Sequence, residues 1–192
     1  MLIEIEGCDG VGKTTVAKML AEKIGAKYLK FPDRSTPTGM LLDVMLREPH
    51  SFESTLFQAL NVVNRLEHLK DLCSAKLEGV DVVCDRYEQS AYVYGVMDGL
   101  DEAWLHTIMT TQPKADLHVL LYMDPLTLDT QRLAGRDREQ YERKGVAGLA
   151  LQSLAFRTLW EARRDDPCWV VYDSGKMSAE TIVSAIVGCL RG

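Results

Sequence analysis

Apolar positions along this chain alternate between two patterns. Short runs rich in Ile, Val, Leu and Tyr are followed by stretches whose apolar residues recur every three or four positions, the spacing that lines one face of a helix. Leu2–Glu6 reads as a first strand, and a glycine-rich turn follows at once. Thr14–Ile24 reads as a helix with Val16, Met19, Leu20 and Ile24 on one face and Gly25 as its stop. A short strand at Lys27–Lys30 ends in Phe31-Pro32-Asp33-Arg34. Helices are expected over Gly39–Arg47 and over one long stretch, Phe52–Leu77, on which His68 reads as a solvated side chain. Val80–Cys84, apolar apart from Asp81, fits a buried parallel strand and leads into Asp85-Arg86-Tyr87.

Ser90–Met97 and Asp101–Met109 follow as helices and Leu117–Met123 as a strand. Asp124-Pro125 supplies an N-cap and a first-turn proline for a helix to about Leu133. Gly135–Lys144 is dense in charge and reads as a mobile surface loop. Val146–Arg163 is helical, Trp169–Tyr172 is the last strand, and Ser178 caps a final helix to Leu190. Strands alternating with helices predict an α/β fold, a parallel sheet covered by helices. No repeat, low-complexity tract or linker divides the chain, so residues 1–192 read as a single domain. A chain of 192 residues can bury most of its apolar surface without help from disulfides or metal.

Charge narrows the partners. The 22 basic and 28 acidic residues leave a net charge of −6, which weighs against a general nucleic-acid binder. A locally basic site for a small anion remains compatible with it. No apolar run approaches the roughly 18 residues of a membrane span. Met1–Glu6 lacks a basic region and carries two acids, so it does not read as a signal peptide. The five cysteines are odd in number, widely spaced and without a Cys-x-x-Cys pair, as expected of reduced thiols in a cytoplasmic protein. The four histidines show no metal-ligand spacing.

The sharpest chemical signal is Gly7-Cys8-Asp9-Gly10-Val11-Gly12-Lys13-Thr14, a full G-x-x-x-x-G-K-[ST] match between a strand and a helix. Gly7, Gly10 and Gly12 let the backbone wrap phosphate oxygens with its N–H groups inward. The helix that starts there turns its positive end to the anion. Lys13 can bridge the outer phosphates, and Thr14 can offer its hydroxyl to Mg²⁺. The bland alternative is a glycine-rich turn that binds nothing. No Asn-Lys-x-Asp guanine reader and no Asp-x-x-Gly after a strand accompanies the loop, which separates it from the switch GTPases. Asp85 closes a buried strand instead. At the C-terminal end of a parallel strand an acid lies beside the phosphate site, where it can order Mg²⁺ and its waters. Arg86 can pair with a second phosphate group, or else the two make a plain surface ion pair.

With these residues in place, the sequence resembles the thymidylate kinase family of the P-loop nucleoside monophosphate kinases. Gly7 to Thr15, Phe31-Pro32-Asp33-Arg34, Asn64-Arg65, Asp85-Arg86-Tyr87 with Ser90 and Tyr94, Pro113-Lys114-Ala115-Asp116, and Gln140-Tyr141-Glu142-Arg143 run in the family's order over nearly the whole chain. The resemblance implies a P-loop NTPase fold, a five-stranded parallel sheet flanked by helices on both faces, with a lid at about 134–145. It implies transfer of the γ-phosphoryl of ATP to dTMP with Mg²⁺ at Thr14 and Asp85. Gly7, Gly10, Val11, Gly12, Lys13, Thr14, Thr15 and Arg132 would hold ATP. Asp9 matches the acid that contacts the acceptor's 3′-hydroxyl, and Arg34 and Arg86 match the arginines on its phosphate. Arg65 matches the reader of the O4 edge of the base. Tyr94 matches the aromatic that crowds C2′, and Ser90 and Tyr141 join the acceptor site; Phe31 could pack under the acceptor nucleotide or merely belong to the core.

Some members carry a catalytic arginine in the phosphate loop, where this chain has Gly10; others carry it in the lid, which points to Arg136 or Arg138 here. A homodimer built on helices that include 52–77 is also implied. One position departs from the family. Four residues before Arg65 the family usually has a phenylalanine stacked on thymine; this chain has Asn61, with Phe57 one turn earlier. Asn61 could meet the hydroxyl of a 5-modified pyrimidine such as 5-hydroxymethyl-dUMP, which makes a kinase for such a nucleotide the alternative. A deoxynucleoside kinase fits less well, because Arg34 and Arg86 suit a phosphate on the acceptor. A nucleotide-binding module without turnover is disfavoured by Lys13, Thr14, Asp85 and Arg86.

Overall fold

A computed structural model of the chain describes residues 1–48, 52–131 and 145–191. The five apolar runs become β1 (Leu2–Gly7), β2 (Lys27–Lys30), β3 (Val82–Asp85), β4 (Leu117–Tyr122) and β5 (Trp169–Asp173). All pair in parallel, in the order β2-β3-β1-β4-β5. This is the five-stranded sheet expected from the sequence. In-register neighbours point the same way, so Ile3, Val83 and Leu117 share one face. Leu2 and Val82 face the other way and pack with Phe31, Leu72, Cys84 and Tyr87. Burial on both faces explains why β3 and β4 read as near-continuous apolar runs, whereas the edge strand β2, Lys-Tyr-Leu-Lys, is partly exposed.

Helices occupy the connections: α1 (Lys13–Ile24), α2 (Pro37–Arg47), α3 (Ser54–Leu66), α4 (Leu69–Leu77), α5 (Glu88–Met97), α6 (Glu102–Met109), α7 (Pro125–Gln131), α8 (Gly145–Glu161) and α9 (Ala179–Arg191). Val16, Ala17 and Leu20 of α1 join Ile182, Val183 and Ile186 of α9 in the main core. The local signals behave as chemistry requires. Gly25 ends α1 in the left-handed region at φ 69°. Asp124 Oδ2 accepts from Thr127 N at 2.9 Å, and Ser178 Oγ accepts from Thr181 N at 3.2 Å. Thr36 caps α2 through Gly39 N with Pro37 in the first turn, so that helix begins two residues before the expected Gly39.

The long helix expected over 52–77 is two helices. The break falls at Glu67-His68, where His68 N turns back to the Arg65 carbonyl at 3.0 Å. His68 is not solvated: its Nε2 lies 3.0 Å from Asp33 Oδ2, and its ring meets the edge of Phe31 at 5.6 Å. A straight helix satisfies its own backbone but leaves Asp33 without that partner. The charged run with Arg132, Arg136, Arg138 and Tyr141 lies outside the described residues. All five cysteines are free thiols. Among the described residues no helix is long and apolar enough to cross a membrane.

Candidate active site

β1 lies between β3 and β4; the connection from β1 runs to the β2 side of the sheet, and the one from β3 crosses to β4 on the other side. That switch point is where an open parallel sheet forms a crevice. The phosphate loop fills it. Gly7 has φ 135°, and a Cβ there would stand 2.2 Å from the Leu121 carbonyl oxygen, so only glycine lets β1 run this close to β4. Gly10 and Gly12 also take positive φ, 83° and 101°. The loop folds around Lys13, whose Nζ donates to the carbonyls of Gly7 at 2.9 Å and Cys8 at 2.5 Å and lies 3.7 Å from Asp9 Oδ1. Val11 turns into the core and is 1% exposed.

Beside the loop, Asp85 collects donors on one oxygen. Asp85 Oδ2 accepts from Thr14 Oγ1 at 2.5 Å and from the Tyr28 hydroxyl at 3.1 Å, while Lys30 Nζ lies 3.5 Å from that oxygen and 3.3 Å from Thr14 Oγ1. Burial, and then the Asp85 carboxylate, push the Tyr28 phenol up, so it stays a donor. A buried carboxylate next to a threonine hydroxyl is a hard-oxygen donor set of the kind Mg²⁺ takes.

Arg86 is the one non-glycine residue at positive φ among the described residues, at 67°. The strain is of order 1 kcal/mol and turns the side chain into the cleft. There its guanidinium pairs with the Asp9 carboxylate, donates to Ser90 Oγ at 3.1 Å and the Tyr94 hydroxyl at 3.4 Å, and stacks 5.6 Å from the Tyr94 ring centre. Burial pushes the Tyr94 phenol up to about 12, against the pull of Arg86. Behind this group stands Glu6. Its carboxylate accepts from Tyr87 N at 2.7 Å, Ser90 N at 3.0 Å and Ser90 Oγ at 2.6 Å, capping α5. Two residues away Glu4 accepts from Glu88 N and pairs with His118 Nδ1. Burial pushes the Glu4 carboxyl up and the His118 imidazole down. Glu4, Glu88 and His118 bring ligand-type atoms within 4.8 Å, yet none of the three lines the cleft.

The segment after β2 forms the opposite wall. Phe31 is buried against His68 and Tyr87, so it supports the turn from below. Arg34 Nη1 lies 2.8 Å from Asp43 of α2. Asn64 of α3, wholly buried, grips the turn. Its Oδ1 accepts from Asp33 N at 2.8 Å, and its Nδ2 donates to the Asp33 carbonyl, Thr36 Oγ1 and Thr38 Oγ1 at 2.8–3.2 Å. Gly39 completes the seat, since a Cβ there would fall 1.7 Å from the Asp33 carbonyl oxygen. Arg65, 2% exposed, donates from Nε to the Asn61 carbonyl at 3.2 Å and lies 5.8 Å over the Tyr87 ring. Asn61 spends its own Nδ2 on the Phe57 carbonyl at 2.9 Å.

These walls enclose a cleft of about 690 Å³. Asp9, Gly10, Gly12, Lys13, Thr14 and Thr15 line it from the loop, Phe31 and Arg34 from the turn after β2, and Phe57, Asn61 and Arg65 from α3. Asp85, Arg86, Ser90 and Tyr94 complete it. Gly7 and Val11 shape the loop from behind, and Arg132, Arg136, Arg138 and Tyr141 lie outside the described residues. Sequence reasoning missed Glu6, Lys30, Asp43 and Gln58. For Lys30 a signal existed, because it is the last residue of a strand that delivers the Phe-Pro-Asp-Arg turn. For Glu6 there was none beyond its strand position.

The chain is similar to known proteins along its length. The family model described as thymidylate kinase matches residues 5–186. A probable thymidylate kinase of Methanocaldococcus jannaschii is 30% identical over 191 residues, covering 100% of this chain and 96% of that one. A thymidylate kinase of Schizosaccharomyces pombe is 29% identical, covering 97% and 89%. Among solved structures, thymidylate kinase from Candida albicans superposes with a TM-score of 0.82 at 25% identity, covering 99% and 90%.

Proposed function

The chain belongs to the thymidylate kinase family, and from that premise we propose how its cleft carries out the phosphorylation of dTMP to dTDP. It is a nucleoside monophosphate kinase, a phosphotransferase that uses ATP. Its central problem is to hold two polyanions against their mutual repulsion with the reacting oxygens in line. Positioning and charge neutralisation are therefore the main work. The observation that carries the assignment of roles is the convergence of Lys13, Arg34 and Arg86 on one cleft of an acidic protein.

Lys13 and the loop N–H groups take the β- and γ-phosphates of ATP. Arg34 and Arg86 take the acceptor phosphate, with Asp9 between Lys13 and Arg86 meeting the 3′-hydroxyl. Arg65 donates to O4 of the base, and Tyr94, fixed by its bond from Arg86, crowds C2′. No general base is needed, because the attacking group is an ionised phosphate oxygen. Thr14 and Asp85 would hold Mg²⁺, which supplies charge neutralisation across the transferred phosphate when bound. Arg136 and Arg138 are the lid arginines proposed to reach the transferring group, with Arg132 on ATP and Tyr141 on the acceptor. We also read the protein as a cytoplasmic homodimer that does not act on nucleic acid, in keeping with its free thiols and net charge of −6. A kinase preferring a 5-modified pyrimidine and a module without turnover are not favoured by the similarity to thymidylate kinases.

The test is ADP release coupled to NADH oxidation, with dTMP, dUMP, dCMP and dGMP as acceptors. dTMP-dependent turnover is expected, with dCMP poor because it offers a donor where Arg65 needs an acceptor. Release of ADP that is indifferent to dTMP would sink the assignment. In the same assay Arg136→Ala and Arg138→Ala should lower kcat more than they raise KM for dTMP. Unchanged kcat in both and in their double variant would reduce the run to a solvated face.

A further inference from the structure

The α3 wall of the cleft carries a polar stripe where stacking was expected. Gln58, Asn61 and Arg65 stand three and four residues apart, so they share one face of the helix, and all three line the cleft. Asn61 has its amide nitrogen committed to the Phe57 carbonyl. Gln58 differs. It is 1% exposed, and among the described residues its Nε2 has no hydrogen-bond partner. Arg65 Nη1, two turns on, is likewise buried and without one. A buried amide without partners is costly, and native structures keep one only where something else meets it. Here the cleft is the open direction.

Resting on the dTMP reading above, the geometry points to Gln58 as a second reader of the base, a specificity-determining residue beside Arg65. Thymine offers an edge made of a ring N3–H flanked by carbonyls. A primary carboxamide is the complement of that edge: Nε2 donates to a ring carbonyl while Oε1 accepts from N3–H. A guanidinium can supply only donors, so Arg65 alone cannot read N3–H. The two side chains together grip the ring in its plane by hydrogen bonds, on a wall where Asn61 stands in place of the expected stacking ring and Phe57 lies one turn earlier. The phosphate end of dTMP, held by Arg34 and Arg86, is already supplied with cations and has no need of a neutral amide.

The experiment is a ligand–protein cycle read by calorimetry. Wild type, Gln58→Leu and Gln58→Met are titrated with dTMP and with N3-methyl-dTMP, which lacks the N3–H. The expectation is a Kd for dTMP about tenfold weaker in both variants, with kcat within about twofold. The N3-methyl penalty, about tenfold in wild type, should shrink to about twofold once the amide is gone. An undiminished penalty in the variants, or dTMP bound as tightly as by wild type, overturns the proposal. Failure of both variants to fold, judged by Tm, also overturns it, because the amide would then serve the core. A wild type that binds dTMP with the expected cycle but releases no ADP would sink the kinase reading and leave the Gln58 contact standing. A wild type that binds no dTMP would sink both.

Discussion

Lys13 ends inside its own loop, donating to the Gly7 and Cys8 carbonyls, and is 6% exposed. Its methylenes therefore pack, while its charge lies within the loop proposed above to take ATP's outer phosphates. Lys13→Met keeps the packing and removes the charge. It should lower kcat by about a hundredfold or more, as loss of one preorganised donor does elsewhere. The KM for dTMP should stay within about threefold and Tm should move little. Retention of more than about a tenth of kcat, a loss under roughly 1.4 kcal/mol, would remove Lys13 from the transferring phosphate. This residue was legible because its neighbours form a pattern with few other uses. Glu6 was not. In Leu2-Ile3-Glu4-Ile5-Glu6 the acids alternate with apolar residues as they would on a half-solvated strand. They are buried because α5 begins over them and brings unpaired N–H groups that a carboxylate can satisfy. Only the tertiary fold carries that information.

Among the elements, the turn that carries Arg34 has little structure of its own. Asn64 holds it through both the backbone N–H and the carbonyl of Asp33, and ties in Thr36 and Thr38 as well. Asn64→Ala leaves those buried groups unmatched and should cost about 2–3 kcal/mol of unfolding free energy in urea. Because Arg34 rides on the same turn, KM for dTMP should rise by about tenfold or more while KM for ATP holds. Equal changes in both KM values would show a general loosening rather than a local one. The sequence marked Asn64 only as a neighbour of Arg65. Its partners lie some thirty residues earlier in the chain, and the break between α3 and α4 is likewise hidden by an uninterrupted run of helix-compatible residues from 52 to 77. Local propensity favours one helix, whereas in the fold the helix breaks and His68 Nε2 comes to lie 3.0 Å from Asp33 Oδ2. The capped ends were easier. Asp124-Pro125 and Ser178 signal their helices through hydrogen bonds made within three residues, whereas the same kind of cap at Thr36 goes unread and the expected start is Gly39.

For the molecule as a whole, the sheet was readable from β3 and β4, whose burial on both faces leaves apolar runs, and from the regular alternation of strands with helices. Quaternary structure is a different matter. Met40, Leu41 and Val44 on α2 and Leu56 and Val63 on α3 are exposed in the single chain. Apolar groups gathered on adjacent helices suit a contact with a second copy. Sedimentation at micromolar concentration should therefore give a particle of twice 21.5 kDa. A monomer at that concentration would remove the dimer.

The same helix α2 holds more than a face. Asp43, one residue from Val44 and two from Leu41, is the partner of Arg34, and Gly39 presses the helix against the carbonyl of Asp33 with no room for a side chain between. A subunit seated on the outer side of α2 would thus rest on the far side of Arg34, the residue proposed above for the acceptor phosphate. Association and substrate affinity would then be two readouts of one rigid piece. The dilution curve of the enzyme becomes informative in its own right: KM for dTMP should climb as the protein is diluted through its dimer dissociation constant, with KM for ATP flat. A KM for dTMP that ignores enzyme concentration across that range would show that α2 transmits nothing inward.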